Sequence, residues 1–358
     1  MAVHFHSLKV KAVNKETPDC VSIVFTVPAH LEKEFLFEQG QNITLKKNIA
    51  GEEVRRSYSI CTAPFEKELK VAVKKVEGGK FSCYANDILK AGDEMEVLPP
   101  TGKFNTPLLA ANDKQYLAFA AGSGITPVLS IIKTTLQTEP KSSFTLVLGN
   151  RSRSSIIFFE ELEGLKNKYV QRFNFINLLS REKTDAPINY GRIDTPKLNA
   201  LAKLIHYNSF DDFFICGPEA MLFCVKDFLE QLNIDKKKIH FELFTTPDSK
   251  VNKVIKEQSS NGNARASKVT VKLDGRSFDF DLGLNNDTIL DAALKQGADL
   301  PFACKGGVCC TCKAKLIEGN VKMDVNWGLE EEEVHQGFIL TCQSNPITDT
   351  VVVDFDIK

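Results

Sequence analysis

Over residues 1–107 apolar and polar positions alternate in short runs, seen in Val21–Thr26, Asn42–Leu45 and Leu69–Val73, with Gly and Pro turns between them. A period of two is that of half-buried strands, so this stretch predicts an antiparallel β-sheet. From Tyr116 the texture changes. Continuous apolar runs at Leu117–Ala120, Phe144–Leu148, Phe173–Leu178 and Phe213–Cys216 alternate with helical stretches at Val128–Leu136, Ile156–Lys166 and Ala220–Leu232. Strand and helix in alternation predict a parallel sheet with crossover helices.

Residues 246–266 are polar and rich in Ser, Asn and Lys, which reads as a flexible linker. Beyond it, Val269–Leu273 and Ser277–Asp281 flank Asp274-Gly275, a two-residue type I′ hairpin signal. Thr288 then stands as the cap of a helix over Ile289–Gln296 that Gly297 can end, and Leu329–Gly337 reads as a second short helix. The predicted organisation is a β-barrel over 1–107, an α/β domain over 108–245, the linker, and a small module over 267–358.

The chain has 358 residues, 43% of them hydrophobic and 25% charged, which suits a globular protein of two or three domains. No apolar run reaches the roughly 20 residues of a membrane span, and MAVHFHSLKV has no apolar signal core, so a cytoplasmic location is the expectation. Residues 267–358 hold 9 basic and 15 acidic side chains, against a net charge of −1 for the whole chain. An acidic module on a mildly basic body argues against nucleic acid as its partner.

Ten cysteines in such a chain point to metal or redox chemistry. Cys304, Cys309 and Cys312 follow the spacing C-x4-C-x2-C, and Cys342 comes much later. That is the ligand spacing of a plant-type [2Fe–2S] cluster. Gly306 and Gly307 let the backbone curl and bring N–H groups to sulfur. The alternative is a zinc site in a protein-interaction module, but zinc prefers paired knuckles. Cys310 fits no ligand register.

Arg56-Ser57-Tyr58-Ser59 closes a barrel strand. An Arg fork can clamp pyrophosphate, a Tyr ring can stack on a flat ring, and a Ser can bond a ring nitrogen; a plain exposed strand end is the other reading. Gly79-Lys80-Phe81-Ser82 opens a helix over Ser82–Leu89 and offers a second anion site. Two such sites in one barrel favour FAD over FMN. Gly122-Ser123-Gly124-Ile125-Thr126-Pro127 follows the first strand of the parallel sheet, and Cys216-Gly217-Pro218 closes another, at the edge where open α/β sheets bind ligands. The first lacks the third glycine of the usual dinucleotide fingerprint.

Taken in order, R-x-Y-S, G-G-x-F-S, G-x-G-I-T-P and C-G-P resemble the ferredoxin–NADP reductase superfamily, and the cysteine pattern resembles a plant-type ferredoxin. Reductase first and ferredoxin last resembles the reductases of multicomponent oxygenases, most of all those that serve a di-iron phenylacetyl-CoA epoxidase. Reductases of aromatic-ring and steroid hydroxylases share the domain order. The resemblance implies a flavin barrel, a nicotinamide α/β domain and a β-grasp ferredoxin domain that relay electrons from NADPH through FAD and a [2Fe–2S] cluster to an oxygenase. It implies that Arg56, Ser57, Tyr58 and Ser59 hold FAD with Gly79, Lys80, Phe81 and Ser82. Gly122, Gly124, Thr126, Pro127, Gly217 and Pro218 would line the nicotinamide site. Ser59, Cys216 and Glu242 would stand at the reacting rings, and Phe244 would close the site or simply pack. Ser180 and Arg181, with Tyr190, resemble a grip on the NADPH 2′-phosphate, helped by Arg151 and Arg153; NADH stays open. The acidic run Glu330–Glu333 would guide docking or form a solvated helix face.

Overall fold

The computed structural model describes residues 4–244, 266–283 and 287–357. The linker expected over 246–266 lies outside the described residues, save Ala266. The chain divides into two compact units, the first carrying two sheets and the second carrying the ferredoxin-like sheet.

The first sheet holds β1 (His6–Thr17), β2 (Cys20–Thr26), β3 (Asn42–Ile49), β4 (Glu52–Ser59), β5 (Leu69–Lys74) and β6 (Glu94–Val97) in the order β4-β3-β6-β1-β2-β5. Its two edges meet. Ile60, just past β4, bridges Val71 of β5, and Cys61 N–H donates to the Lys70 carbonyl at 2.9 Å. This closes the antiparallel sheet into a barrel and removes its open edges. Leu8, Ile23, Ile43, Leu45 and Val71 fill the interior, joined by Phe81 and Ala85 of α1 (Lys80–Asp87).

The second sheet holds β7 (Gln115–Ala121), β8 (Ser143–Asn150), β9 (Phe173–Leu179), β10 (Asp212–Gly217) and β11 (Ile239–Leu243) in the order β11-β10-β7-β8-β9, every pair parallel. The crossovers carry α2 (Ile125–Thr138), α3 (Phe159–Lys168), α4 (Thr195–Leu201) and α5 (Glu219–Gln231). Tyr116, Phe119, Phe144, Phe213 and Phe214 are fully buried here, and each such side chain stabilises the fold by about 1.5–3 kcal/mol. The strand order reverses between β7 and β10, which is where open sheets leave a crevice at their carboxyl ends.

The second unit holds β12 (Ser267–Leu273), β13 (Arg276–Leu282), α6 (Ile289–Lys295), β14 (Lys313–Glu318), β15 (Val321–Met323), α7 (Glu331–His335), β16 (Phe338–Leu340), β17 (Ser344–Pro346) and β18 (Thr350–Asp354). The main sheet runs β13-β12-β18-β14-β16, with β12 and β18 parallel at its centre, and β15 pairs with β17 apart from it. This is a β-grasp arrangement. Asp274 and Gly275 both have positive φ, as a type I′ turn requires, and the Asp356 carboxylate accepts both their N–H groups at 2.9 Å.

Helix ends differ from the sequence reading for local reasons. α3 starts three residues late because Phe158 sits at φ 60°, outside the helical region. α7 is shorter than expected because the Glu330 N–H is taken by the Glu333 carboxylate at 3.1 Å, which fixes Glu330 as its cap.

Candidate functional site

All five parallel strands turn their carboxyl ends toward one cleft of about 670 Å³. Ala121 and Gly122 come from the end of β7, Gly149 to Arg151 from β8, Ser180 from β9, Gly217 and Pro218 from β10, and Phe244 follows β11. Gly122 turns the chain at φ 55°. Gly124 is required by close approach, since a Cβ there would lie 2.1 Å from the Cys216 carbonyl oxygen. The start of α2 is thereby pressed against the end of β10, so the two expected nicotinamide segments do come together. Thr126 and Pro127 are buried in the first turn of α2, where the Thr126 hydroxyl donates to the Ser123 carbonyl at 2.9 Å.

The cleft also holds residues that sequence reasoning missed. Lys74 reaches in from the barrel, and Arg192 and Asp194 line it beside Arg151 and Ser180. Arg181 does not line it; that residue is exposed, with its backbone N–H on the Arg151 carbonyl. Arg192 is brought in by its neighbours. Tyr190 bridges Leu179 and Gly191 turns at φ 118°, which swings the next residue toward the strand ends. Asp194 is engaged as the cap of α4, accepting from Lys197 N–H at 3.0 Å.

At the barrel side, the Ser59 hydroxyl donates to Glu242 Oε2 at 2.9 Å and so ties β4 to β11. The Glu242 residue keeps some exposed surface, but its carboxyl group is enclosed by protein. That burial pushes it up to about 7, against the hydrogen bonds from Ser59 and Asn42 that hold it down. The Cys216 thiol is fully buried in the core between sheet and helix, and burial, with Glu242 nearby, raises it well above its ordinary value. It remains a neutral thiol behind the cleft, whose wall is made by Gly217 and Pro218. Phe244 is 42% exposed at the cleft mouth.

Tyr58 is half-buried, its ring 5.5 Å from that of Phe81. Phe81 itself is core. The Arg56 guanidinium is part-buried and donates to the Arg55 carbonyl at 2.7 Å, Ser57 is half-buried beside it, and Lys80 pairs with Glu52. The Ser82 hydroxyl is engaged in its own turn with Val76 and Gly79, and a Cβ on Gly79 would strike it at 2.5 Å. What this turn offers an anion is therefore backbone N–H at the start of α1, whose first internal donor is Cys83.

In the second unit the four cysteines converge: Cys304 lies beside Cys309 and Cys312 beside Cys342, and Cys312 also feels Cys304 and Cys309. The Cys309 contact is the largest cause holding the Cys304 thiol down to about 6; burial opposes it, and the N–H groups of Gly306, Val308 and Cys309 add to it. The Gly306 N–H lies 3.3 Å from the sulfur. Three thiols on one loop with a distant fourth, in place of the paired knuckles that zinc prefers, is the donor spacing of a two-iron site. The donor set and its N–H bonds fit a [2Fe–2S] cluster. Gly307 turns at φ 75° under the Val325 carbonyl, 2.8 Å from where a Cβ would stand, so the curl needs glycine. Cys310 points away, its Sγ donating to the Gly328 carbonyl at 2.8 Å. Of the acidic run, Glu333 is buried and paired with Lys313 at 3.2 Å, which leaves Glu330, Glu331 and Glu332 on the surface.

No helix of the described residues is long and apolar enough to cross a membrane. The family model of the oxidoreductase FAD-binding domain matches residues 7–106, that of the oxidoreductase NAD-binding domain residues 119–227, and that of the 2Fe-2S iron-sulfur cluster binding domain residues 271–346. The chain is 48% identical to a subunit of 1,2-phenylacetyl-CoA epoxidase from Escherichia coli K12, across 99% of this chain and 98% of that protein. It is 35% identical to the ferredoxin reductase component of 3-ketosteroid-9-alpha-monooxygenase from Rhodococcus rhodochrous, across 97% and 96%. Among solved structures, phthalate dioxygenase reductase shares the fold with a TM-score of 0.58 at 23% identity, covering 98% of each chain. A type IV self-sufficient cytochrome P450 monooxygenase matches with a TM-score of 0.68 at 20% identity, covering 98% of this chain and 41% of its own. With FAD-binding, NAD-binding and [2Fe–2S] domains on one polypeptide, the chain belongs to the family of oxidoreductases that serve as reductase components of oxygenases.

Proposed function

We propose that this reductase takes electrons from NADPH and delivers them to the di-iron oxygenase of a phenylacetyl-CoA epoxidase. The end-to-end likeness to the Escherichia coli epoxidase component carries the reading. In it, the barrel over 1–107 holds FAD, the α/β domain over 108–245 holds the coenzyme, and the module over 267–358 holds the cluster. When bound, the flavin and cluster supply the conversion of a two-electron donor into single-electron delivery. The chain's own residues position and tune. Arg56 and the start of α1 supply positive charge and N–H donors to the FAD phosphates, and Tyr58 offers its ring to the flavin.

Glu242 keeps the Ser59 hydroxyl oriented at the cleft and, titrating near 7, can hold a proton beside the ring site. The buried Cys216 thiol stays uncharged and shapes the floor under Gly217 and Pro218. Arg151 and Arg192 with Ser180 form the seat for a 2′-phosphate, which favours NADPH; among the described residues the one acidic side chain lining the cleft, Asp194, is committed to capping α4. Cys304 with Cys309, and Cys312 with Cys342, would each hold one iron.

The test is coupled turnover. Purified reductase, NADPH and the phenylacetyl-CoA oxygenase component should oxidise NADPH only when phenylacetyl-CoA is present. Coupling instead to a 3-ketosteroid oxygenase, the reading favoured by the Rhodococcus rhodochrous relative, would overturn the assignment of the partner.

A further inference from the structure

Lys133 lies on α2, about two turns beyond the coenzyme loop, and its side chain is only 5% exposed. Its ammonium sits between two carboxylates from different parts of the fold. Glu66 Oε2 is 2.5 Å away and Glu161 Oε1 2.7 Å away. Glu161 belongs to α3. Glu66 belongs to the short turn that continues the flavin strand: β4 ends at Ser59, and Glu66 lies seven residues on. The same Glu66 oxygen accepts the Ala63 N–H at 2.6 Å, so that turn is rigid where the lysine meets it.

A second bolt lies one helical turn earlier. Ser130 is fully buried and donates to the Thr62 carbonyl at 2.6 Å. Ser130 and Lys133 are spaced i and i+3, so they share one face of α2. That face is thus fastened at two points to the segment running from Ser59. At its other end α2 carries Gly122 to Gly124.

We propose that Lys133 is a positioning residue for electron transfer. It sets the register of the coenzyme loop against the flavin strand, and so the approach of the nicotinamide to the flavin ring. The inference rests on the proposed cofactor sites. The step it serves moves two electrons and one proton from the reduced nicotinamide to the flavin, and oxidised coenzyme then dissociates. Such a step is steep in distance: a displacement of about 1 Å can cost about 100-fold in rate. Glu66 and Glu161 are each about one-third exposed, so both can rehydrate when the ammonium is removed, and the unit can remain folded while its register loosens.

The test is stopped-flow reduction of the FAD-loaded full chain by NADPH, comparing wild type with Lys133→Met and Lys133→Arg. Lys133→Met should retain FAD, bind NADP⁺ within about twofold of wild type, and reduce its flavin about 10- to 100-fold more slowly. The long-wavelength charge-transfer absorbance of the nicotinamide–flavin pair should weaken in parallel, and Lys133→Arg should restore most of both. A purely structural role would lower thermal stability but leave the limiting rate and that band in place, and this result would overturn the inference. Should Lys133→Met not fold, Glu66→Gln decides: a wild-type rate and band overturn the proposal, and a loss of both upholds it. A chain that binds no flavin at all would instead refute the cofactor sites.

Discussion

Replacing Glu242 with Gln should stabilise the protein, and only at the upper end of the pH range. The carboxyl titrates near 7 against an ordinary value of 4.5, because burial disfavours its charge more than Ser59 and Asn42 favour it. Below pH 4.5 the group is protonated both folded and unfolded, and the glutamine variant should match wild type. Between about 4.5 and 7 the unfolded chain has released this proton while the native state still holds it. The unfolded state then binds fewer protons, so stability falls as pH rises. A gap of about 2.5 pH units at ~1.4 kcal/mol each gives a loss of about 3 kcal/mol, complete just above pH 7. Glu242→Gln cannot ionise and escapes this loss, while its amide oxygen still accepts from Ser59. Urea titrations of the FAD-loaded protein at about pH 4.5, 6 and 8, followed by far-ultraviolet circular dichroism, measure the difference. It should grow from near zero to about 3 kcal/mol in favour of the variant. Parallel stability curves across this range would refute the argument and show that water reaches the carboxylate.

Arg192→Gln should weaken binding of 2′,5′-ADP by about 10- to 100-fold, the worth of about 1.5–3 kcal/mol for a charge-assisted bond, and leave 5′-AMP unchanged in calorimetry; Arg181→Gln should change neither. Gly124→Ala would drive a Cβ against the Cys216 carbonyl and should cost at least ~2 kcal/mol in urea unfolding, with loss of NADP⁺ binding. Cys342→Ser should abolish the iron–sulfur absorbance while NADPH-driven reduction of ferricyanide by the flavin persists, since the thiol belongs to the second unit alone.

The order of sheets was legible in the sequence because each carries its own period. Two-residue alternation marked the barrel, and apolar runs between helical stretches marked the parallel sheet. The Gly122–Gly124 turn at the end of β7 and the convergence of the four cysteines were legible because glycine and thiol chemistry leave few alternatives. What escaped was set by contacts between segments distant in sequence. Arg192 and Lys74 enter the cleft from a loop and from a barrel strand; Gly191 is the sole local hint of the first, and the second has none. Ser82, Lys80 and Phe81 read as equal members of an anion motif, yet packing buries the phenyl ring and the turn consumes the hydroxyl. Glu333 looked like one of four interchangeable glutamates. Its bond to the Glu330 N–H and its pairing with Lys313 on β14 single it out as a buried partner.

The central position of β18 also bears on how the molecule is made. In the second unit β18 lies between β12 and β14, so the hairpin β12–β13 has no sheet to join until residues 350–354 have been synthesised. Pairing across nearly the whole unit is slow to form and cannot begin early on the ribosome. All four thiols emerge before the strand that locks their scaffold. Loading of iron and sulfide thus has to wait for β18, and a chain stalled short of that strand would present its cysteines on an unassembled sheet, open to oxidation and to the wrong metal.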